Sequence, residues 1–270
     1  MSITSLGIAG AGRMGAALLK GWANARGQGF APKVTVFEPH LSQDIQPVLQ
    51  ALEASVNPGL AQPLDVLVLA VKPQTFSQAA PGLKGFVGPD TLVLSIMAGT
   101  TIAKLKSELR AKRVVRAMPN TPGAIGKGIT AYAASDALSE ADHAQIGALL
   151  APLGAVERAP DEASIDAVTA LSGSGPAYIF LLVEAMAAAG EAEGLEKGLA
   201  MRLARATVAG SGLLLDASPE VGADALRQAV TSPGGTTAAA LNVLMAEDGM
   251  TRLMTKAIRA AAARAKELGA

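Results

Sequence analysis

The sequence predicts two domains: an α/β domain with a mostly parallel sheet over residues 1–160, then an all-helical domain over 161–270. Short apolar strands alternate with helical patterns from Ser5 to about Glu157, the signature of helices packed on a parallel sheet. From about Ala163 to the end only helical patterns remain, and Ala159-Pro160-Asp161 marks the change. A length of 270 residues suits one large domain or two ordinary ones.

Composition removes several function classes. Acidic and basic side chains balance at 23 each, so no basic field points to nucleic acid. The chain has no cysteine, which excludes disulfides, thiol nucleophiles and cysteine metal sites, and no metal is expected. No charged n-region followed by an apolar h-region opens the chain. The longest apolar run, Ala177–Gly190, is interrupted by Glu184 and reads as too short to span a bilayer. A soluble cytoplasmic protein is the expectation. Half the residues are hydrophobic and few are aromatic, which suits buried helices and a large subunit interface alike.

Taken in order, Ser5–Ala9 reads as a buried strand. It runs into Gly10-Ala11-Gly12-Arg13-Met14-Gly15 and a helix from about Ala16 to Arg26. This is G-x-G-x-x-G between a strand and a helix, a Rossmann-type dinucleotide loop. The first glycine allows the tight turn, the second lets the backbone approach a pyrophosphate, and the third lets helix pack on strand. Val34–Phe37 reads as the second strand, ending at Glu38 and stopped by Pro39. A ribose-binding acid is expected about 20 residues past the glycines. Glu38 lies in that range; its carboxylate would accept ribose hydroxyls and repel a 2′-phosphate. His40 is open between a surface residue and a phosphate contact.

Three further strands end in turn-forming residues. Asp65–Val71 leads to Lys72-Pro73, and Thr91–Ile96 to Met97-Ala98-Gly99-Thr100-Thr101, where Thr100 or Thr101 caps the next helix. Val114–Met118 leads to Pro119-Asn120-Thr121-Pro122-Gly123. Ligands of open parallel sheets bind outside the carboxyl ends of the strands, so Lys72, Ala98, Gly99 and Asn120 should share one crevice. Ile129–Ala133 and Gly154–Glu157 are the last strand candidates. Between them Ser139 caps a helix to Leu150, and His143 is assigned to its solvated polar face.

In the second domain Leu171–Tyr178 opens a long apolar helix with Pro176 in its first turn. Further helices fit Leu195–Asp216, Pro219–Val230, Thr236–Met245 and Gly249–Leu268. Between the third and fourth of these five lies Thr231-Ser232-Pro233-Gly234-Gly235-Thr236-Thr237. Thr236 or Thr237 can cap the following helix, whose free N–H groups attract a carboxylate or phosphate. Only His40 and His143 are present, neither placed for acid–base work, which disfavours carbonyl reduction assisted by histidine. Reduction of a C=N bond asks for less, because an iminium carbon is already electrophilic and needs chiefly alignment with the hydride donor.

These stretches resemble the pyrroline-5-carboxylate reductase family. The resemblance rests on Gly10–Gly15, Ala70-Val71-Lys72-Pro73, Met97-Ala98-Gly99, Met118–Pro122, Ala170–Tyr178 and Thr231–Thr237, in the family's order. It implies reduction of Δ1-pyrroline-5-carboxylate to L-proline by NAD(P)H. It places the cofactor on Ala9, Gly10, Ala11, Gly12, Arg13 and Met14, and on Asn57, Ala70, Val71, Lys72, Pro73, Met97, Ala98 and Gly99, to which the glycine pattern and the ribose spacing add Gly15 and Glu38. It places the substrate on Ser232, Gly234, Gly235, Thr236 and Thr237, with Thr237 the proton donor to the ring nitrogen; Asn120, beyond its strand end, is added as a substrate residue. It also implies homodimers through the helical domain, gathered into rings.

Family members that favour NADPH often carry a small polar or basic residue where this chain has Glu38, so NADH use is favoured here. The family's acidic residue before the substrate loop falls on Asp216 or Glu220. A β-hydroxyacid dehydrogenase or related imine reductase is the rival enzyme. Such dehydrogenases carry a catalytic lysine on the first long helix of the second domain, and Ser174–Gly190 contains none. A non-catalytic dinucleotide sensor would keep Gly10–Gly15 but would not need the hydroxyl-rich loop.

Overall fold

A computed structural model describes residues 3–27, 31–135 and 138–269. Among these residues eight strands form one sheet: β1 (Ser5–Ala9), β2 (Lys33–Phe37), β3 (Ser55–Val56), β4 (Val66–Leu69), β5 (Leu92–Ser95), β6 (Arg113–Met118), β7 (Gly128–Ala134) and β8 (Gly154–Arg158). Their order is β3-β2-β1-β4-β5-β6-β7-β8. Every pairing is parallel except β6 with β7. The strand order reverses at β1, which lies between β2 and β4; such a reversal leaves a crevice beyond the strand ends.

The central strands β1, β4 and β5 are nearly continuous apolar runs because both their faces are covered. On β4, Val66 and Val68 join the core on one face while Leu67 and Leu69 join the core on the other. The first core is packed by α1 (Arg13–Ala25), α2 (Gln46–Leu52) and α5 (Glu140–Leu150) through Leu18, Trp22, Leu49, Ile146 and Leu150. The second is packed by α3 (Pro73–Leu83) and α4 (Ile102–Leu109) through Phe76, Leu83 and Leu105. Burial of each such side chain contributes roughly 1.5–3 kcal/mol. Trp22 also donates its indole N–H to the Leu149 carbonyl at 3.0 Å, tying α1 to α5.

Helices alone follow: α6 (Ser164–Val168), a π-type turn at Thr169–Gly173, α7 (Gly175–Ala192), α8 (Lys197–Asp216), α9 (Ala223–Ala229), α10 (Thr236–Leu244) and α11 (Met250–Gly269). The chain forms two compact units. One runs to Ser174 and takes in the residues from Ala261 on; the other is Gly175–Ala260. Packing therefore divides the chain past the Ala159–Asp161 composition change, because α6 lies on β6 and β7.

Several sequence expectations change. α1 starts at Arg13, inside the glycine motif, and the Pro219–Val230 helix shrinks to Ala223–Ala229. α2 and β3 were not foreseen. The helical stretch Ser164–Ala192 is 29 residues long and holds an 18-residue window of mean hydropathy 1.3, so by length and composition it could cross a membrane. The apolar run looked too short because α6 and the π-type turn extend it. His143 is buried, not solvated, and its Nδ1 lies 3.1 Å from the Tyr132 hydroxyl. It shares a helix face with buried Ile146 and Leu150, three and seven residues on, and that spacing overrides its polarity.

Candidate active site

The glycine loop joins β1 to α1 at the reversal point. Gly10 has φ +97°, and a Cβ there would sit 2.6 Å from the Ala70 backbone. A Cβ at Gly15 would be 2.1 Å from the Gly10 carbonyl oxygen. Both positions therefore require glycine, one for the turn and one for close packing of helix on strand. A Cβ at Gly12 meets nothing within 4 Å, so the backbone there faces open space. Gly12 is also the N-cap of α1 and no side chain caps that end. The first N–H groups of α1 are thus available to an anion, and the loop fits a dinucleotide pyrophosphate.

Glu38 reaches this loop from the end of β2. One carboxylate oxygen accepts the Ala11 N–H at 2.9 Å and the other accepts the His40 N–H at 3.0 Å. Two acceptor positions of the carboxylate are used and others remain for ribose hydroxyls. Asn57, in the left-handed region at φ 44°, holds Glu38 in place. Its Oδ1 accepts the Glu38 N–H at 2.9 Å and its Nδ2 donates to the Glu38 carbonyl at 2.8 Å. His40 itself is exposed.

The adjoining strand ends complete the crevice. Ala70 donates its N–H to the Ala9 carbonyl at 2.7 Å, which sets Ala70 and Val71 against Gly10. Lys72 is exposed at the N-cap of α3, with Pro73 in its first turn. Beyond β5, Met97 donates its N–H to the Ser95 hydroxyl at 3.2 Å, and Gly99 turns with φ +65°. Of the two candidate caps, Thr101 is the N-cap of α4; its hydroxyl accepts the Lys104 N–H at 3.2 Å. Beyond β6, Asn120 uses both ends of its amide. Its Oδ1 accepts the Ile129 N–H at 3.0 Å and its Nδ2 donates to the Ser172 hydroxyl at 3.3 Å. The first unit thus brings together Ala9–Gly15, Glu38, Asn57, Ala70–Pro73, Met97–Gly99 and Asn120.

The Ser232–Thr237 loop belongs to the second unit. Gly234 turns with φ +71°, and the Gly235 N–H donates to the Ser232 carbonyl at 3.1 Å. The N-cap of α10 is Gly235 with no side-chain cap, so neither Thr236 nor Thr237 caps the helix. A Cβ on Gly235 would meet the Ser232 hydroxyl at 2.5 Å, and with the chain folded this closely the cap falls on Gly235, before either threonine. The two threonines occupy the first turn. Their N–H groups and that of Ala238 precede the first intrahelical bond, from Ala239 to Gly235. The loop therefore offers backbone N–H groups, with hydroxyls beside them, at the positive end of α10.

Four residues outside the expected set touch this architecture. Arg116 on β6 is only 3% exposed and pairs with Glu162 and Asp166; Ser172 holds Asn120. A cation inside the apolar run Val114-Val115-Arg116-Ala117 was the available signal.

A dinucleotide loop at the reversal of a parallel sheet, followed by a helical unit with an uncapped, hydroxyl-rich helix start, defines a two-domain NAD(P)-type oxidoreductase. Residues 162–268 match the family model for pyrroline-5-carboxylate reductase dimerisation, and residues 5–99 match that for NADP oxidoreductase, coenzyme F420-dependent. A pyrroline-5-carboxylate reductase of Pseudomonas aeruginosa is 39% identical over 99% of this chain and 98% of its own. The structure of such a reductase from Coxiella burnetii is 33% identical, covers 100% of both chains and superposes with a TM-score of 0.88. A Plasmodium falciparum pyrroline carboxylate reductase, solved with NADP bound, is 29% identical over 99% of this chain and 98% of its own, with a TM-score of 0.78. The chain belongs to the pyrroline-5-carboxylate reductase family.

Proposed function

We infer that the protein carries out its family's reaction, reducing Δ1-pyrroline-5-carboxylate to L-proline with NAD(P)H, with the labour divided between the two units. The carrying observation is the start of α10, where free N–H groups and the Thr237 hydroxyl sit together without a cap. The N–H groups of the first turn suit the substrate carboxylate. The Thr237 hydroxyl is the proton donor to the ring nitrogen, and Ser232 lies beside the substrate. A bound nicotinamide dinucleotide supplies the hydride, and the glycine loop with the turns after β4 and β5 holds and orients it. Residues 161–270 act as the substrate-binding and dimerisation domain.

Glu38 favours NADH, because its carboxylate, bound to Ala11 and His40, faces the place where a 2′-phosphate would add negative charge. Subunits pair through the helical domain and the pairs close into a ring. Phe180 on α7, Leu213 on α8 and Leu253 on α11 are each more than 60% exposed in one chain, too much apolar surface for an isolated subunit. That interface, not lipid, covers the apolar Ser164–Ala192 stretch, and the protein is cytoplasmic.

Thr237→Val tests the chemistry, since valine keeps the shape and removes the donor. The expected result is a kcat lower by roughly 10²-fold with little change in KM, the mark of a group acting in the transition state. With Gly235 as the N-cap, loss of a helix cap cannot account for a deficit. An undiminished kcat per folded active site would remove Thr237 from the mechanism.

A further inference from the structure

We propose that Arg116 is a positioning residue for the dinucleotide site, acting through Glu162 on the turn Met97–Gly99. The proposal rests on the reading that this turn holds the cofactor.

The guanidinium is buried on β6, two residues before the strand ends. It lies 2.8 Å from Asp166 Oδ1 on α6 and 3.4 Å from Glu162 Oε1 in the segment leading to α6. The same Glu162 oxygen accepts the Ile102 N–H at 2.7 Å. Ile102 is the first residue of α4, three positions after Gly99. An N–H at a helix start has no intrahelical acceptor, and a carboxylate is its strongest partner. Glu162 therefore works with the Thr101 cap to fix where α4 begins, and with it the end of the Met97–Gly99 turn.

Arg116 fixes Glu162. The carboxylate is about one-third exposed and free to swing into water without a counter-charge. Asp166 sets the other side of the guanidinium, so three elements, β6, α6 and the start of α4, are registered by one side chain. Stability alone does not explain this arrangement. The Arg116 Nε–H is buried without a hydrogen-bond partner, and a buried ion pair is often no better than apolar packing. A guanidinium, unlike an apolar side chain, can hold two carboxylates from different segments in fixed directions.

The test uses the full-length protein and measures NADH and NADPH dissociation constants separately by nucleotide fluorescence, with kcat and melting temperature alongside. Glu162→Ala removes the acceptor for Ile102 at a partly exposed site and is expected to fold. Its dissociation constants for both dinucleotides should rise about tenfold, equivalent to roughly 1.4 kcal/mol. Glu162→Gln still offers an oxygen to the Ile102 N–H and should recover most of that loss. Arg116→Lys, with one ammonium for two carboxylates, should fall between them. The proposal is overturned if Glu162→Ala lowers only the melting temperature and binds both dinucleotides as the wild type does. It is overturned equally if Arg116→Lys binds both dinucleotides as the wild type does, since Glu162 would then need no guanidinium to hold it. Failure of the wild type itself to bind either dinucleotide overturns the functional reading and this inference with it, a result distinct from the variant series.

Discussion

Replacing Glu38 should change which dinucleotide the enzyme prefers, and the size of the change can be worked out. The carboxylate is pinned by N–H groups of Ala11 and His40 at 2.9 and 3.0 Å. Hydrogen bonds to a charged group contribute about 1.5–3 kcal/mol each, so swinging the side chain aside costs roughly 3 kcal/mol or more. Against a phosphate charge at roughly 5 Å the repulsion is about 0.8 kcal/mol per charge pair in water, and about fourfold that near a protein surface. The two costs are comparable, so the carboxylate is expected to stay in place and NADPH to carry the penalty. Glu38 is partly exposed, which favours the lower figures and a preference for NADH of roughly tenfold in kcat/KM. Glu38→Ser removes the charge and releases both N–H groups to a 2′-phosphate. NADPH should then improve about tenfold while NADH weakens through lost ribose contacts. Initial-rate kinetics with both cofactors at low and high salt are the assay, and the wild-type preference should shrink as salt screens the repulsion. A wild-type enzyme with a large NADPH advantage, or a Glu38→Ser enzyme with an unchanged ratio, would refute the reasoning.

The remaining expectations are shorter. Light scattering at micromolar concentration should give at least twice the 27.1 kDa chain mass, and a stable monomer would contradict the exposed Phe180, Leu213 and Leu253. Acid should weaken the first unit through Asp142. Burial pushes its carboxyl up, but the Arg113 ion pair and the Ser139 N–H and hydroxyl outweigh burial and hold it at about 2. Because its folded pKa lies below the ordinary value of 3.8, its contribution is fully present above about pH 4 and lost as pH falls toward 2. After allowance for solvent screening that loss is about 1–2 kcal/mol. Asp142→Asn should therefore be less stable than wild type at pH 6 and nearly equal to it at pH 2 in urea unfolding; equal stability at pH 6 would exclude this role.

The first unit was readable because its signals are local and redundant. A buried parallel strand must be apolar on both faces, so Leu6–Ala9, Val66–Leu69 and Leu92–Leu94 stand out as runs. Gly10 and Gly15 are required by contacts 2.6 and 2.1 Å from backbone atoms, which is why the glycine pattern carries information beyond composition. β3 escaped notice because two exposed residues leave no pattern, and its presence is known from Thr35 and Val36 pairing with it. The antiparallel β7 looked like the other strands, since direction is decided by the short connection from β6 and not by the residues within the strand.

The site was legible where chemistry follows chain position and obscure where it follows contact. Glu38 could be named from its distance past the glycines, but not that its carboxylate already serves Ala11, 27 residues away. The threonines of the second loop were placed correctly next to a helix start and wrongly as its caps. A cap is chosen by backbone angles, and Gly235 at φ −81°, ψ 175° takes that position before either threonine can. That one-residue shift has a chemical consequence. An N-cap hydroxyl faces back to its own helix and accepts from it. Thr237, inside the first turn, does not spend its hydroxyl on a cap. The helix start can therefore offer N–H groups to a carboxylate while the threonine offers a proton to a nitrogen, two donors of different reach from a single turn of backbone.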